Sequence, residues 1–362
     1  MASIDRLDVP AYTVPTDVPE SDGTLKWDRT TLVLVELESH GVSSVGYTYA
    51  TRATAQLIQD MLAPVVLGSE AMNVDAVWRR MIRAIRNQGR PGIASMAIAA
   101  VDSAMWDLKA RLINVPLVTL LGQLREGIDL YGSGGFTSYS IQQLEHQLRE
   151  WVESGISRVK MKVGRDASED IDRVSAARRA IGEDAELFVD ANGAYDAVQA
   201  REQANRFTES RVTWFEEPVS SDELGHLRDI RNAAPRNMEI TAGEYGYDIG
   251  YFRRMIEAGA VDVLQADATR CAGISGLLQV AALCDAFAIP LSTHTAPALH
   301  LHPCCAIARM RHSEYFHDHV RIERMFFDGF REPARGRMTP DLSRPGMGLE
   351  FKRADAEQYR VA

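Results

Sequence analysis

Seven residues able to carry charge recur at a regular interval through the second half of the chain. They are Lys160 and Lys162 in RVKMKV, Asp190 in LFVDAN, Glu216 in VTWFEEP, Glu244 in EITAGE, Asp267 in VDVLQAD and His294 in IPLSTHT. Each lies in or closes a short apolar run. Counted from Lys162, the gaps are 28, 26, 28, 23 and 27 residues. An interval of that size is one strand plus one helix, so the spacing predicts that these side chains meet at one end of a parallel sheet. Any one of the acids alone reads as a solvated loop carboxylate. Recurrence at strand ends is what singles out the set.

Asp190, Glu216 and Glu244 sit on consecutive units. Converging carboxylates drive one another's pKa up unless they share a cation. An all-oxygen set with room for water and substrate suits Mg²⁺. The two lysines alternate with Val159, Met161 and Val163, so in a strand both point to one face. Two ammonium groups that close raise each other's energy. The pairing makes sense for a base, because a lysine acts as one only when its pKa falls from about 10.4 towards neutrality. A neighbouring ammonium and a nearby cation both push that way. Lys162 is therefore predicted as the tuned base, and Lys160 as a partner that also holds an anionic substrate group. Asp267 and His294 end adjacent strands. An Asp on one ring nitrogen fixes the tautomer and leaves the other nitrogen free as acid or base.

The elements that must position these residues follow the same rhythm. From about residue 127, short apolar runs alternate with amphipathic stretches. SIQQLEHQLREWVESG has Ser140 as N-cap, an apolar stripe at Ile141, Leu144, Leu148 and Trp151, and Gly155 at its end. ELGHLRDIRNA and GISGLLQVAALCDAF read the same way. About eight such units in about 200 residues predict an α/β chain folded as a (β/α)8 barrel. A doubly wound open sheet is the second choice. It lacks a GxGxxG after a strand, and GSGGF at 132–136 reads as a Gly-rich turn. Before the barrel, residues 30–50 read as a hairpin turning at His40-Gly41. Helical periodicity follows until Pro116 and Gly122, so residues 1–122 form a small α+β domain.

A formal charge of −10 with no Lys/Arg run excludes nucleic acid and anionic membrane surfaces as partners. Apolar stretches such as MAIAAVDSAMW are broken well before the roughly 18 residues of a membrane span. MASIDRLDVPAY, with no apolar run after a basic one, does not read as a signal peptide. The four cysteines, two of them adjacent at Cys304 and Cys305, suit neither a disulfide framework nor zinc spacing. These features predict a reduced, soluble, cytoplasmic protein.

The motifs KMK (160–162), DAN (190–192), EEP (216–218), AGE (242–244), QAD (265–267) and THTAP (293–297) together resemble the mandelate racemase subgroup of the enolase superfamily. ASMAIAAVDSAMWDLKARL with VPLVTLLG resembles that family's last capping-domain helix and its link into the barrel. RPGMGLE resembles its closing segment. The resemblance covers nearly the whole chain. It implies that residues 1–122 and a returning segment, 326–362, cap a barrel formed by 123–325. It implies Mg²⁺ held by Asp190, Glu216 and Glu244, and abstraction of the proton α to a carboxylate with the metal stabilising the enediolate. Lys162 and the His294–Asp267 dyad would face each other across the substrate. Glu314, in HSEYF, would be a carboxylic acid donating to the substrate carboxylate; on the residues alone it could as well be a surface acid. Asn192 would touch substrate, and the protein would be a homo-oligomer. Ala272, in RCAGISG, departs from the pattern, since many relatives carry a second glycine there. Asp267 disfavours the subgroup that has a lysine at that strand end.

Two reactions fit these residues. Return of a proton to the opposite face makes a racemase or epimerase. Loss of a β-hydroxyl makes a dehydratase yielding a 2-keto-3-deoxy acid. The stretch PTDVPESDGTLKW (15–27) reads as a loop closing over the mouth, carrying Asp17, Glu20, Asp22, Lys26 and Trp27, with GYTYA (46–50) beside it. A polar lid suits hydroxyls, so the expected substrate is a small carboxylate, an acid sugar of the aldonate or aldarate type, undergoing dehydration. Racemisation, epimerisation or cycloisomerisation of a related acid is the alternative. A non-catalytic sugar-acid binding protein is disfavoured because every expected position is filled. A zinc protein built on His300, His302, His312, His317 and His319 is disfavoured because their spacing matches no recognised zinc pattern.

Overall fold

A computed structural model describes residues 2–361. The chain opens with an antiparallel sheet of β1 (Arg6–Asp8), β2 (Ala11–Ser21), β3 (Lys26–Ser39) and β4 (Val42–Tyr49), with β3 paired to all the others. The hairpin expected over 30–50 is β3–β4. The stretch expected as a loop over 15–27 is instead a second hairpin, β2–β3. Pro15 and Pro19 hide the strand in the sequence. An edge strand tolerates prolines, and its register shifts between Pro15 and Glu20. Asp22 closes the turn by accepting from the backbone N–H of Thr24 and Leu25, each at 2.7 Å.

Helices α1 (Arg52–Leu57), α2 (Ala63–Val66), α3 (Val74–Ala84) and α4 (Ile93–Leu112) cover this sheet. Small residues let α4 lie close on β4. A Cβ at Gly46 would come within 2.3 Å of Ala100 O and Ala104 N. The short α5 (Leu117–Leu121) leads to the barrel.

The barrel strands are β5 (Ile128–Gly134), β6 (Arg158–Lys162), β7 (Glu186–Asp190), β8 (Val212–Glu216), β9 (Glu239–Ala242), β10 (Val263–Ala266), β11 (Leu291–Thr293) and β12 (Met310–Phe316). They pair in parallel in sequence order, and β12 closes on β5. Each is followed by a helix: α6 (Ile141–Glu153), α7 (Asp170–Ile181), α8 (Ala197–Phe207), α9 (Leu224–Ala233), α10 (Ile249–Glu257), α11 (Gly273–Ala286), α12 (Pro297–Cys305) and α13 (His317–Phe326). Ser140 caps α6 in a capping box, as its sequence predicts. GSGGF is not a turn, because Gly132 and Gly134 lie inside β5. A Cβ at Gly132 would fall 2.5 Å from the Trp151 ring, so the glycine lets α6 seat its tryptophan on the strand. Outward side chains such as Val159, Met161 and Val189 pack under the helices. The barrel interior is plugged by Tyr131, Phe188, Trp214 and Val263.

The C-terminal stretch returns along the molecule through β13 (Phe327–Asp328), β14 (Arg337–Met338) and β15 (Glu350–Phe351). β14 adds to β5, and β15 pairs with β13. Val361 N–H reaches Ala11 O at 2.8 Å. Two buried acids tie the layers together. Asp107 on α4 accepts from Val45 N at 3.0 Å, Met347 N at 2.6 Å and Arg111 Nε at 2.7 Å. Glu323 on α13 accepts from Tyr47 Oη at 2.6 Å and Ala298 N at 3.1 Å.

Asp107→Ala should cost about 3–5 kcal/mol in denaturant unfolding, because it leaves two buried amides without an acceptor and takes from Arg111 its buried carboxylate, leaving it Glu350 and Leu349 O. Burial pushes Glu323 up to about 8. A carboxyl raised in the folded state stabilises below its unfolded pKa, and that contribution is lost as pH rises through the folded value. Urea melts between about pH 5 and 8 should therefore show stability falling in the wild type and falling less in Glu323→Gln.

Candidate active site

Parallel register places the first charged residues side by side. Lys162 is the direct neighbour of Asp190 and Asp190 of Glu216. Glu244 follows β9, Asp267 follows β10, His294 follows β11, and Glu314 lies within β12. All of these residues and Lys160 are buried, and both lysines point into the barrel as the alternation predicts. Glu314 is no surface acid. Its strand carries it inward beside Lys160, with Oε1 2.8 Å from the ammonium.

One carboxylate oxygen from each of Asp190, Glu216 and Glu244 falls within 4.8 Å of the others. It is the one such cluster of potential metal ligands among the described residues. Asp190 accepts from Lys162 Nζ at 2.5 Å and Asn192 N at 2.9 Å. Glu216 accepts from Lys160 Nζ at 2.6 Å and Trp214 Nε1 at 2.9 Å. Glu244 Oε2 is buried without a hydrogen-bond donor. Burial and then Asp190 push Glu216 well above the usual carboxylate range. A donor set of hard oxygens with an orphaned lone pair and unrelieved repulsion fits a hard divalent cation.

Contrary to the expected mutual depression of the lysines, Lys162 is held above its ordinary value. Burial and Lys160 pull it down, but Asp190, Glu244 and Glu216 outweigh them. Lys-to-Lys spacing along one strand is visible in the sequence; the acids interleaved from the next strands are not. Glu314 likewise departs from a protonated acid. Burial would raise it, yet Lys160, His294 and Lys162 hold it ionised. It accepts from Thr295 N at 2.7 Å.

His294 Nδ1 lies 2.8 Å from Asp267 Oδ2, and its Nε2 is 3.2 Å from Glu244 Oε2. Burial would raise Asp267, but the hydrogen bond and charge of His294, with His300 and Arg270, keep it below the ordinary range. The carboxylate fixes the ring with Nε2 directed at the cluster. Lys162 and His294 stand on β6 and after β11, on opposite sides of the mouth.

Several residues the motifs did not single out build this site. Arg270 lies 3.3 Å from Glu244 Oε1 and 3.7 Å from Asp267 Oδ2. Its position three residues after Asp267 was the available signal. Glu217, the second acid of EEP, is buried and pushed well up by burial. His300 Nε2 accepts from Ala268 N at 2.9 Å and its Nδ1 donates to Thr295 O, so a neutral imidazole staples the loops after β10 and β11. The other histidines of the zinc reading do not converge. His302 Nδ1 accepts from Val118 N, and His312 meets Ser292 inside the barrel. Asn192, Glu217, Ala272, Thr295 and Ala296 all have positive φ. Strain of this kind collects at functional sites. Ala272, at φ 66°, keeps the left-handed turn a glycine would make. Trp78 Nε1 donates to its carbonyl.

A cavity of about 440 Å³ opens over the cluster, lined by Lys162, Asn192, Glu244, Asp267 and His294 below and by the hairpin and β4 above. A cavity of about 650 Å³ adjoins this one across Asn192 and Tyr245, and one of about 580 Å³ lies away from it; neither is lined by the lysines, dyad or triad. Of the polar lid residues, Asp22 and Trp27 line the mouth. Glu20 is buried under Trp27 and accepts from its Nε1 at 2.8 Å. Asp17 pairs outside the mouth with His317 and Arg321, and Lys26 is exposed.

Residues 11–122 match the mandelate racemase/muconate lactonizing enzyme N-terminal domain, and residues 143–356 match the enolase C-terminal domain-like family. The chain belongs to the mandelate racemase/muconate lactonizing enzyme family. The L-talarate/galactarate dehydratase of Salmonella typhimurium is 32% identical over 80% of this chain and 75% of its own. A mandelate racemase/muconate lactonizing enzyme-like protein from Rubrobacter xylanophilus superposes with TM-score 0.97 at 50% identity, covering 99% of this chain and 100% of that one. A racemase from Streptomyces coelicolor, with bound magnesium, superposes at 0.93 with 27% identity, covering 99% and 100%. The family fold seats Lys162 and the His294–Asp267 dyad on either side of the acidic triad.

Proposed function

We propose that this chain is a Mg²⁺-dependent acid-sugar dehydratase that converts an aldonate or aldarate to a 2-keto-3-deoxy acid. The observation that carries the reading is one cavity flanked by two groups able to move protons, Lys162 and His294, with three carboxylates between them. A cation on Asp190, Glu216 and Glu244 supplies the positive charge that makes a proton α to a bound carboxylate acidic. A cation held by Asp190, Glu216 and Glu244 would offset the carboxylate charges that raise Lys162, against burial and Lys160, which lower it. Lys162 then takes the α-proton from one face. His294 Nε2, oriented by Asp267, hands a proton to the departing β-hydroxyl, or the two exchange roles for the opposite configuration. Lys160 holds the substrate carboxylate, Glu314 donates to it after taking up the proton that this second negative charge favours, and Asn192 contacts an adjacent hydroxyl. The cysteines are free and buried, and no helix is long and apolar enough to cross a membrane, which supports a reducing cytoplasmic setting.

The same pair of groups could return a proton to the other face. The racemase relative favours this second reading.

Mg²⁺ at about a hundred times its Kd should raise the unfolding free energy by about 2.7 kcal/mol, read as a thermal shift. Glu244→Gln should remove most of that shift; an undiminished shift would place the metal elsewhere. A library of aldonic and aldaric acids should yield a 2-keto acid with the wild type. Lys162→Ala and His294→Asn should each lower kcat by about 10²–10⁴-fold while still binding Mg²⁺. Solvent-deuterium exchange at the α-carbon without keto acid would favour racemisation or epimerisation, and no exchange with any acid would overturn the assignment.

A further inference from the structure

His319 lies in the first turn of α13 and lines the mouth cavity, on the unit next to the one that carries His294. It is 8% exposed. Its ring lies flat on Tyr49 of β4, centroids 3.4 Å apart at 14°, and edge-on to Phe316 at 5.1 Å. Tyr49 in turn points its hydroxyl at His319 O, 3.4 Å away. The ring is thus fixed by stacking alone. Nδ1 is fully buried with no hydrogen-bond partner, and among the described residues no group bonds Nε2. Burial pulls the imidazole well below its ordinary pKa, so it carries one donor and one acceptor and no charge. Nδ1 is shut off from the cavity, so Nε2 is the ring atom that a substrate hydroxyl can reach.

The rest of the upper wall is also neutral or already engaged. Thr30, Thr31, Thr51, Tyr49 and Trp27 line it. Arg270 is held by Glu244 and Asp267 and lies over Tyr245, and Arg29 is paired to Asp28 at 2.8 Å. Asp22, at the hairpin tip, adds a negative charge. A substrate whose first carboxylate sits at the triad would meet, at its other end, no cation but Arg29 at the rim, which is exposed, screened by water and shared with Asp28.

We propose that His319, held on Tyr49, is a specificity-determining residue that hydrogen-bonds a neutral hydroxyl of the substrate chain, so that the preferred substrate is a mono-acid polyol and not a di-acid. This rests on the proposed function and names its substrate class.

The test uses aldonic acids, the aldaric acids of matching length and configuration, and aldonic acids deoxygenated along the chain, all with Mg²⁺. The wild type should favour the best aldonate over its aldarate by at least about tenfold in kcat/KM. His319→Phe, which keeps the stack, should raise KM for that aldonate about tenfold, move kcat far less, and erase the discrimination against one deoxy analogue. His319→Gln should recover part of the loss. Magnesium-induced thermal shifts on each variant confirm that it is folded. Equal or better turnover of the aldarate, or an unchanged hydroxy-to-deoxy ratio in His319→Phe, would overturn this inference while leaving the dehydratase reading standing. No α-proton exchange with any of these acids in the wild type would overturn both.

Discussion

Everything at the barrel mouth depends on burying a set of opposed charges together. Lys160, Lys162, Asp190, Glu216, Glu244, Asp267 and Glu314 are all removed from water. An unpaired ion in such a place is costly by several kcal/mol, and repayment requires close, well-directed partners. Parallel register provides them. It sets Lys162 beside Asp190, and it sets Asp190 beside Glu216, an acid of the same sign that is answered by Lys160 at 2.6 Å. Only the acidic side is left incompletely matched, at Glu244 Oε2 and in the upward push on Glu216. The fold thus holds the cation's place open by electrostatics as much as by shape.

That constraint explains why the cap is anchored so firmly. Charges in a low-dielectric pocket act strongly only if water is kept out. The β2–β3 hairpin is pinned to the barrel through Thr137 N to Ser21 O at 2.8 Å and Arg165 to Leu25 O at 2.6 Å. From below, Glu323 binds Tyr47, and Asp107 binds β4 to the returning C-terminal stretch. The same sheet that seals the mouth delivers Tyr49, on which His319 rests.

The barrel and the site were legible from different kinds of signal. Lys162, Asp190, Glu216, Glu244, Asp267 and His294 announced themselves because each ends an apolar run at one βα interval, a pattern local in sequence. Glu314 did not, since HSEYF mixes polar and aromatic residues and its inward face is set by closure of β12 on β5. β2 was lost to its prolines, and the glycines of β5 looked like a turn because their purpose, room for Trp151, lies on another element. The upward pull of the carboxylates on Lys162 was not legible for the same reason. The like charge two residues away is written in the strand, while the acids that outweigh it come from neighbouring strands.

The arrangement of the two proton-moving groups bears on which reactions are possible. Lys162 is embedded among carboxylates, whereas His294 has a single dedicated acid, Asp267, on its inner nitrogen and keeps Nε2 directed at the cluster. The two are therefore chemically unequal. A group whose charge is tied to shared carboxylates gains basicity or loses it as they engage other partners. A histidine locked by its own aspartate stays in one tautomer throughout. Such an unequal pair serves either outcome: one group removes the carbon-bound proton, and the other, from the opposite face, delivers a proton to a leaving oxygen or back to carbon.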